Sequence, residues 1–234
     1  MSASAPAPHS ASAPRRVLLA GATGLVGREL LRQLMADPTV GEVRALTRRP
    51  MSRGELLGCS GHRPGDERLQ VCEVDFDRLD RHVALFEVDW VCCAMGTTIR
   101  KAGSQAAFRQ VDFDYPLHMA QLARAQGAHQ LMLVSALGAD ADSRVFYNRV
   151  KGELEDALAE LDYRSVCVAR PSLLAGERGE FRLAERLGLA LGWLMPDHYK
   201  PVHAAQVAAG LLSAARDERP GWHVLSNVHL RGMR

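Results

Sequence analysis

Short, unbroken apolar runs alternate along the chain with longer stretches in which apolar residues recur at helical spacing. Val17-Leu18-Leu19-Ala20 is a run of the first kind, the pattern of a strand covered on both faces, and Val43 to Thr47, Leu69 to Val74 and Trp90 to Ala94 are expected as the next strands. Leu131 to Ser135, Arg164 to Ala169 and Trp222 to Ser226 supply three more. After the first run, Val26, Leu30, Leu31, Leu34 and Met35 form a helical stripe that stops at Asp37-Pro38, because the residue before proline is pushed out of the helical region. Helices are also expected over Asp80 to Phe86, Ala106 to Gln126 with Gly127 as its stop, Arg144 to Leu161, Glu177 to Leu194 and His203 to Arg216. This alternation predicts an α/β fold, a Rossmann-type doubly wound parallel sheet with small substrate-side elements after about residue 171. Any ligand should then lie beyond the carboxyl ends of the strands. Pro50 to Arg68 breaks the rhythm: it is rich in Gly, Arg and Ser with only Leu56-Leu57 apolar together, so its crossover helix should be short or replaced by loop.

Composition narrows the class. The chain has 234 residues, 47% hydrophobic and 24% charged, with a formal net charge of +2. These values describe a globule rather than a disordered chain, and the charge gives no footprint for nucleic acid. The longest apolar stretch, Leu187 to Met195, is shorter than a bilayer helix needs, so no membrane partner is expected. Residues 1–14 are mostly Ala, Ser and Pro and are expected to be a disordered tail before a single domain over 15–234. The five cysteines show no paired framework, which points to a reducing compartment and, as an expectation, to the cytoplasm. Adjacent Cys92 and Cys93 should point to opposite faces of a buried strand and pack as small hydrophobes. The histidines lack metal-site spacing, so no metal is expected.

The turn after the first strand reads Gly21-Ala22-Thr23-Gly24-Leu25-Val26-Gly27. A strand, a glycine turn and a helix in this order expose backbone N–H groups and the positive end of the helix dipole to a pyrophosphate. Gly21 permits the turn, Gly24 lets backbone approach phosphate, and Gly27 lets helix and strand pack closely. About 20 positions on, where a carboxylate would hold the ribose 2′-hydroxyl of NAD, the chain reads Thr47-Arg48-Arg49. Two guanidiniums there suit a 2′-phosphate, so the expected cofactor is NADP(H).

Tyr147 and Lys151 stand four apart on an expected helix and so share a face. A nearby ammonium favours phenolate, bringing tyrosine toward the range useful for general acid or base catalysis. Ser135, at the end of the fifth strand, is placed to orient a substrate carbonyl.

GATGLVG at 21–27, Asp75-Phe76, Ser135 and YNRVK at 147–151 resemble, in order and spacing, the short-chain dehydrogenase/reductases. Cys92 to Thr98, Val111 to Tyr115, Ser135 to Asp140, Lys151 to Glu153 and Arg170-Pro171 are most similar to the atypical Tat-interacting-protein-like branch, often labelled nucleoside-diphosphate-sugar epimerase-like. The resemblance covers about residues 16 to 226. It implies that Gly21, Thr23, Gly24, Leu25, Val26 and Gly27 hold the pyrophosphate and Arg48 and Arg49 the 2′-phosphate. It likewise implies that Asp75 and Phe76 meet the adenine, and that Ala94, Met95 and Gly96 flank the ribose. Lys151 would bind the nicotinamide ribose, Tyr147 would exchange the proton, Ser135 would polarise the carbonyl, and Arg170 and Pro171 would border the nicotinamide. Many members carry an Asn in the helix before the serine; here that stretch is Arg109-Gln110-Val111-Asp112, with Gln110 as the available substitute.

The expected function is therefore an NADP(H)-dependent oxidoreductase acting on a small carbonyl or alcohol, with Met95, Thr97, Thr98, Leu137, Leu173 and Leu174 as pocket candidates. Two alternatives are an NADP(H)-binding redox sensor with little turnover and an epimerase-like enzyme. A homodimer through the helices at Ala106 to Gln126 and Arg144 to Leu161 is a further expectation.

Overall fold

The computed structural model describes residues 14–58, 64–175 and 196–233. The expected N-terminal tail before residue 14 and the expected helix from Glu177 to Leu194 lie outside the described residues.

The chain runs through β1 (Arg15–Ala20), α1 (Leu25–Ala36), β2 (Val40–Thr47), α2 (Arg53–Leu57), β3 (Leu69–Glu73), β4 (Trp90–Cys93), α3 (Ile99–Ala102) and α4 (Gln105–Arg109). It continues with α5 (Tyr115–Ala125), β5 (Gln130–Val134), α6 (Phe146–Ala159), β6 (Ser165–Arg170), β7 (Leu174–Ala175) and β8 (Val202–His203). The last elements are α7 (Ala204–Asp217), β9 (Gly221–Ser226) and α8 (Asn227–Arg231). Seven strands form one sheet in the order β3-β2-β1-β4-β5-β6-β9, with every pairing parallel. The strand order reverses between β1 and β4, the switch point at which doubly wound sheets take their ligands.

Alternation along each strand divides the apolar residues between two layers. Val17, Leu19 and Cys92 face α1 and α7, packing with Leu30, Leu34, Val207 and Leu211. Leu18, Ala20 and Cys93 face α5 and α6, packing with Met119, Leu133, Leu154 and Leu158. Strands buried on both faces explain the unbroken apolar runs in the sequence, and each fully buried Leu or Val contributes about 1.5 to 3 kcal/mol. Cys92 and Cys93 thus pack into opposite layers, as read from the sequence.

Three stretches refine the reading from sequence. Among its described residues, Pro50 to Arg68 holds a 3-10 turn at Asp66–Arg68 and the short helix α2, which is started by a reciprocal cap: the Ser52 hydroxyl accepts from the Glu55 N–H at 3.2 Å, and the Glu55 carboxylate accepts from the Ser52 N–H at 2.6 Å. The helix expected over Asp80 to Phe86 is instead a run of 3-10 turns over Phe76–Phe86, broken at Arg78 and His82. Isolated anchors at Phe76, Leu79 and Phe86 set its path into the core rather than a full helical stripe. The long helix at Ala106 to Gln126 is interrupted by a π-helical turn over Gln110–Asp114, a type of bulge often found at functional sites.

The α1 end is clasped to α7. The buried Asp37 carboxylate accepts from the Thr39 N–H and hydroxyl at 2.9 and 2.7 Å and from Arg216 Nε at 2.8 Å. Burial works against the Asp37 carboxylate, but the Thr39 bonds and Arg216 outweigh it and hold its pKa below the usual carboxylate value. A depressed folded pKa contributes stability that is present above the unfolded value and lost as pH falls through the folded one. Asp37→Asn should therefore cost about 1 to 2 kcal/mol in urea unfolding at pH 7. The gap from wild type should shrink as pH drops below about 4; a gap that stayed constant with pH would count against the charged clasp.

Candidate functional site

The turn between β1 and α1 is built by close backbone contact. Gly21 has φ +87°, a conformation side chains rarely adopt, and a Cβ there would lie 2.4 Å from the Ala94 carbonyl oxygen. The Gly24 N–H donates to the Gly21 carbonyl at 2.9 Å, closing the turn. At Gly27 a Cβ would meet the same Gly21 oxygen at 1.9 Å, so only glycine lets α1 come this near to β1. Helix α1 begins with Gly24 as its cap, with no side chain bonded to its free N–H groups and no acidic residue in its first turn. The Leu25, Val26 and Gly27 end of the helix is thus left electropositive, as an anion requires.

A cleft of about 890 Å3 opens over this turn at the β1/β4 switch point. It brings together Gly21, Thr23, Gly24, Arg48, Arg49, Phe76, Ala94, Met95 and Gly96 of the residues singled out in the sequence. Leu25, Val26 and Gly27 are not in its wall; their contribution is the helix end and its packing. Asp75 lies in an adjoining hollow of about 520 Å3 with Arg48, Phe76, Asp77 and Tyr115, where its carboxylate accepts from the Asp77 N–H at 3.0 Å.

Asp77 was not singled out in the sequence, and its contacts with Tyr115 and Gln110 depend on the fold. The Asp77 carboxylate accepts from the Tyr115 hydroxyl and from the Gln110 side-chain amide, each at 2.8 Å, and Tyr115 and Gln110 both line the cleft. Burial, helped by Asp77, pushes the Tyr115 phenol up to about 12, so it stays a donor. The only signal for these contacts was the Val111 to Tyr115 motif, which named the segment but not its partner. The side-chain amide of Gln110, the available substitute for the family's Asn, thus donates to Asp77.

Asp112 instead reaches the candidate proton-transfer residues. The face of α6 carrying Tyr147 and Lys151 lies against α4 and the π turn. The Tyr147 ring packs on Phe108 with centroids 5.6 Å apart, and the buried Lys151 Nζ lies 2.8 Å from Asp112 Oδ1. Asp112 Oδ2 accepts from the Thr97 N–H at 2.8 Å. The pair sits directly behind Gly96: a Cβ there would be 3.4 Å from Asp112 Oδ1 and 3.9 Å from Lys151 Nζ. Gly96 and Thr97 belong to the cleft wall, and Lys151 lies behind that wall; Tyr147 and Lys151 are not among the residues lining the cleft.

Ser135 is engaged by a carboxylate within the protein. Its buried hydroxyl donates to the Glu155 carboxylate, one turn beyond Lys151 on α6. That carboxylate also accepts two bonds from Arg170 Nε, at 3.2 and 3.1 Å, and one from Arg170 Nη2 at 2.6 Å. The hydroxyl proton is thus directed into the protein and not toward a carbonyl in the cleft. Arg170 is held by the same carboxylate, and the Pro171 carbonyl accepts from the Leu137 N–H at 2.8 Å, fixing the loop after β5.

A seven-stranded parallel sheet with a glycine cradle at its switch point defines a Rossmann-type doubly wound fold. A family model described as NAD(P)H-binding matches residues 21–218, and the chain belongs to that NAD(P)H-binding family. It is 33% identical over 194 residues to "Protein HTATIP2" of Rattus norvegicus, covering 82% of this chain and 76% of that protein. It is 29% identical over 217 residues to "Protein FMP52, mitochondrial" of Coccidioides immitis, covering 87% and 88%. An oxidoreductase of the short-chain dehydrogenase/reductase family from Burkholderia thailandensis superposes with a TM-score of 0.67 at 20% identity, covering 95% of each chain, which supports the fold. The mitochondrial relative overturns the cytoplasmic expectation: unpaired cysteines report a reducing compartment, and the cytoplasm is not the only one.

Proposed function

We propose that the protein is an NADP(H)-dependent oxidoreductase acting on a small carbonyl or alcohol, with Tyr147 exchanging the proton. The observation that carries this reading is the Lys151–Asp112 pair directly behind Gly96, in the wall of a cleft that also holds Arg48 and Arg49, with Tyr147 one turn from Lys151 on the same helix. A dinucleotide fits the residues present: a cradle that any Cβ would fill, an uncapped helix end for its pyrophosphate, and two arginines for a 2′-phosphate. Bound there, the nicotinamide supplies the hydride chemistry. Gly21, Gly24 and the start of α1 orient the phosphates. Lys151 presents a positive charge on the same helix as Tyr147, whose phenolic oxygen would exchange the proton.

Cofactor choice is tested by titration. Arg48→Glu should weaken NADPH binding about 10- to 100-fold, the worth of a charge-assisted bond replaced by repulsion, while NADH binding should change by no more than about threefold. Equal weakening of both would remove the case for NADP(H).

A second reading, an NADP(H)-binding sensor with little turnover, is favoured by one observation: the Ser135 proton is committed to Glu155, which leaves a carbonyl without its second donor.

A further inference from the structure

A buried lysine is an unstable base for any mechanism that needs its charge. Removal from water favours the neutral amine, and a lysine without compensation can lose several pH units of basicity. Lys151 is such a group: its side chain is 4% exposed, between α6 and the sheet. Tyr147 faces it from its own helix, Cys93 from β4 and Asp112 from the π turn. Glu155, one turn further along α6, is already occupied by Ser135 and Arg170. Asp112 is therefore the carboxylate available to it, at 2.8 Å and itself 1% exposed.

The backbone explains how a carboxylate comes to be there. Phe108 and Asp112 are spaced by four, as are Tyr147 and Lys151, so the two helix faces meet residue for residue, ring on ring and charge on charge. The π-helical turn over Gln110–Asp114 follows Phe108 and contains Asp112. The Thr97 N–H then fixes the second carboxylate oxygen and ties the pair to the wall of the cleft.

We infer that Asp112 is a positioning residue for proton transfer: it is the fixed counter-ion that keeps Lys151 charged in a dry site and anchors that charge behind Gly96, next to Tyr147. The inference rests on the oxidoreductase reading for its catalytic meaning but not for its physical content. Consistent with it, burial works against the Lys151 ammonium, and Asp112, with smaller help from Tyr147 and Cys93, more than offsets this and raises its pKa above the ordinary lysine value.

The chain has three lysines, Lys101, Lys151 and Lys200, so lysine labelled with 13C at Cε resolves them by NMR, and Lys101→Arg and Lys200→Arg assign the signals. Wild-type Lys151 should remain charged to beyond pH 10, whereas in Asp112→Asn its titration should fall by about two pH units or more. A fall smaller than about half a unit would overturn the assignment. Carbonyl reduction by Asp112→Asn should decline as pH rises through the lowered midpoint and recover on the acid side. Equal loss at every pH would mark a merely structural role and also overturn it.

If Asp112→Asn folds too poorly to titrate, a double-variant cycle with Lys151→Met decides. Each single variant leaves one buried partner uncompensated, so the double variant should resist urea better than the sum of the single losses allows. Additive losses would reject the pairing. Neither titration nor unfolding needs a substrate. An inactive protein with a shifted Lys151 would therefore defeat the oxidoreductase reading alone, and an active one with an unmoved Lys151 would defeat this inference alone.

Discussion

Replacing Tyr147 by Phe is expected to lower carbonyl turnover by about a hundredfold to ten-thousandfold, the usual contribution of a positioned general acid. The ring that packs on Phe108 is retained, so the helix face and the fold should be undisturbed. The phenolic oxygen alone is lost. NADPH affinity should stay within about threefold of wild type, since the cradle and Arg48 line the cleft and Tyr147 does not. The measurement is NADPH consumption against a panel of carbonyl compounds, with binding followed separately by titration. If both proteins bind NADPH tightly and consume it equally slowly on every compound, Tyr147 is not the proton donor and the sensor reading takes its place.

Gly27→Ala should be the most damaging single methyl in the chain's nucleotide-binding turn. The new Cβ would stand 1.9 Å from the Gly21 carbonyl oxygen and 2.6 Å from its carbonyl carbon. Both are backbone atoms of a turn already closed by the Gly24 N–H, so no flexible side chain can yield. Either α1 moves off β1 or the turn opens, at a cost of about 3 kcal/mol or more. Both movements disperse the N–H groups meant for phosphate, so NADPH affinity should fall more than about tenfold. Gly24→Ala is the natural comparison: its Cβ would meet the same oxygen at 3.2 Å, a contact that a small shift relieves. Urea unfolding and NADPH titration of the two variants should rank Gly27 well below Gly24. Equal behaviour would mean that the close approach is not what the third glycine is for.

The legible parts of the fold were those that depend on one residue's own chemistry or on spacing along one element. Val17 to Ala20 read as a buried strand because no polar residue interrupts it, and Tyr147 and Lys151 read as neighbours because a helix puts positions four apart on one face. What escaped depends on partners distant in sequence. Ser135 is well placed for catalysis along the chain, and only the fold reveals that Glu155 takes its proton. Asp112 looks like any solvent-facing carboxylate of a charged helix, and it is buried in a π turn that hydropathy does not announce. Gln110 seemed the better relay candidate because an amide resembles the missing Asn, whereas packing assigns it to Asp77.

The central position of β1 bears on how the chain acquires its structure. Val17 to Ala20 pair with Trp90 to Cys93 on one side and with Val43 to Leu46 on the other. A ribosome therefore releases this inner strand well before its neighbour β4, and the nascent greasy segment must wait. Wiring of this kind requires large loops to close before neighbours reward them, which places refolding toward the slow end for a chain of this length and makes early chaperone protection useful.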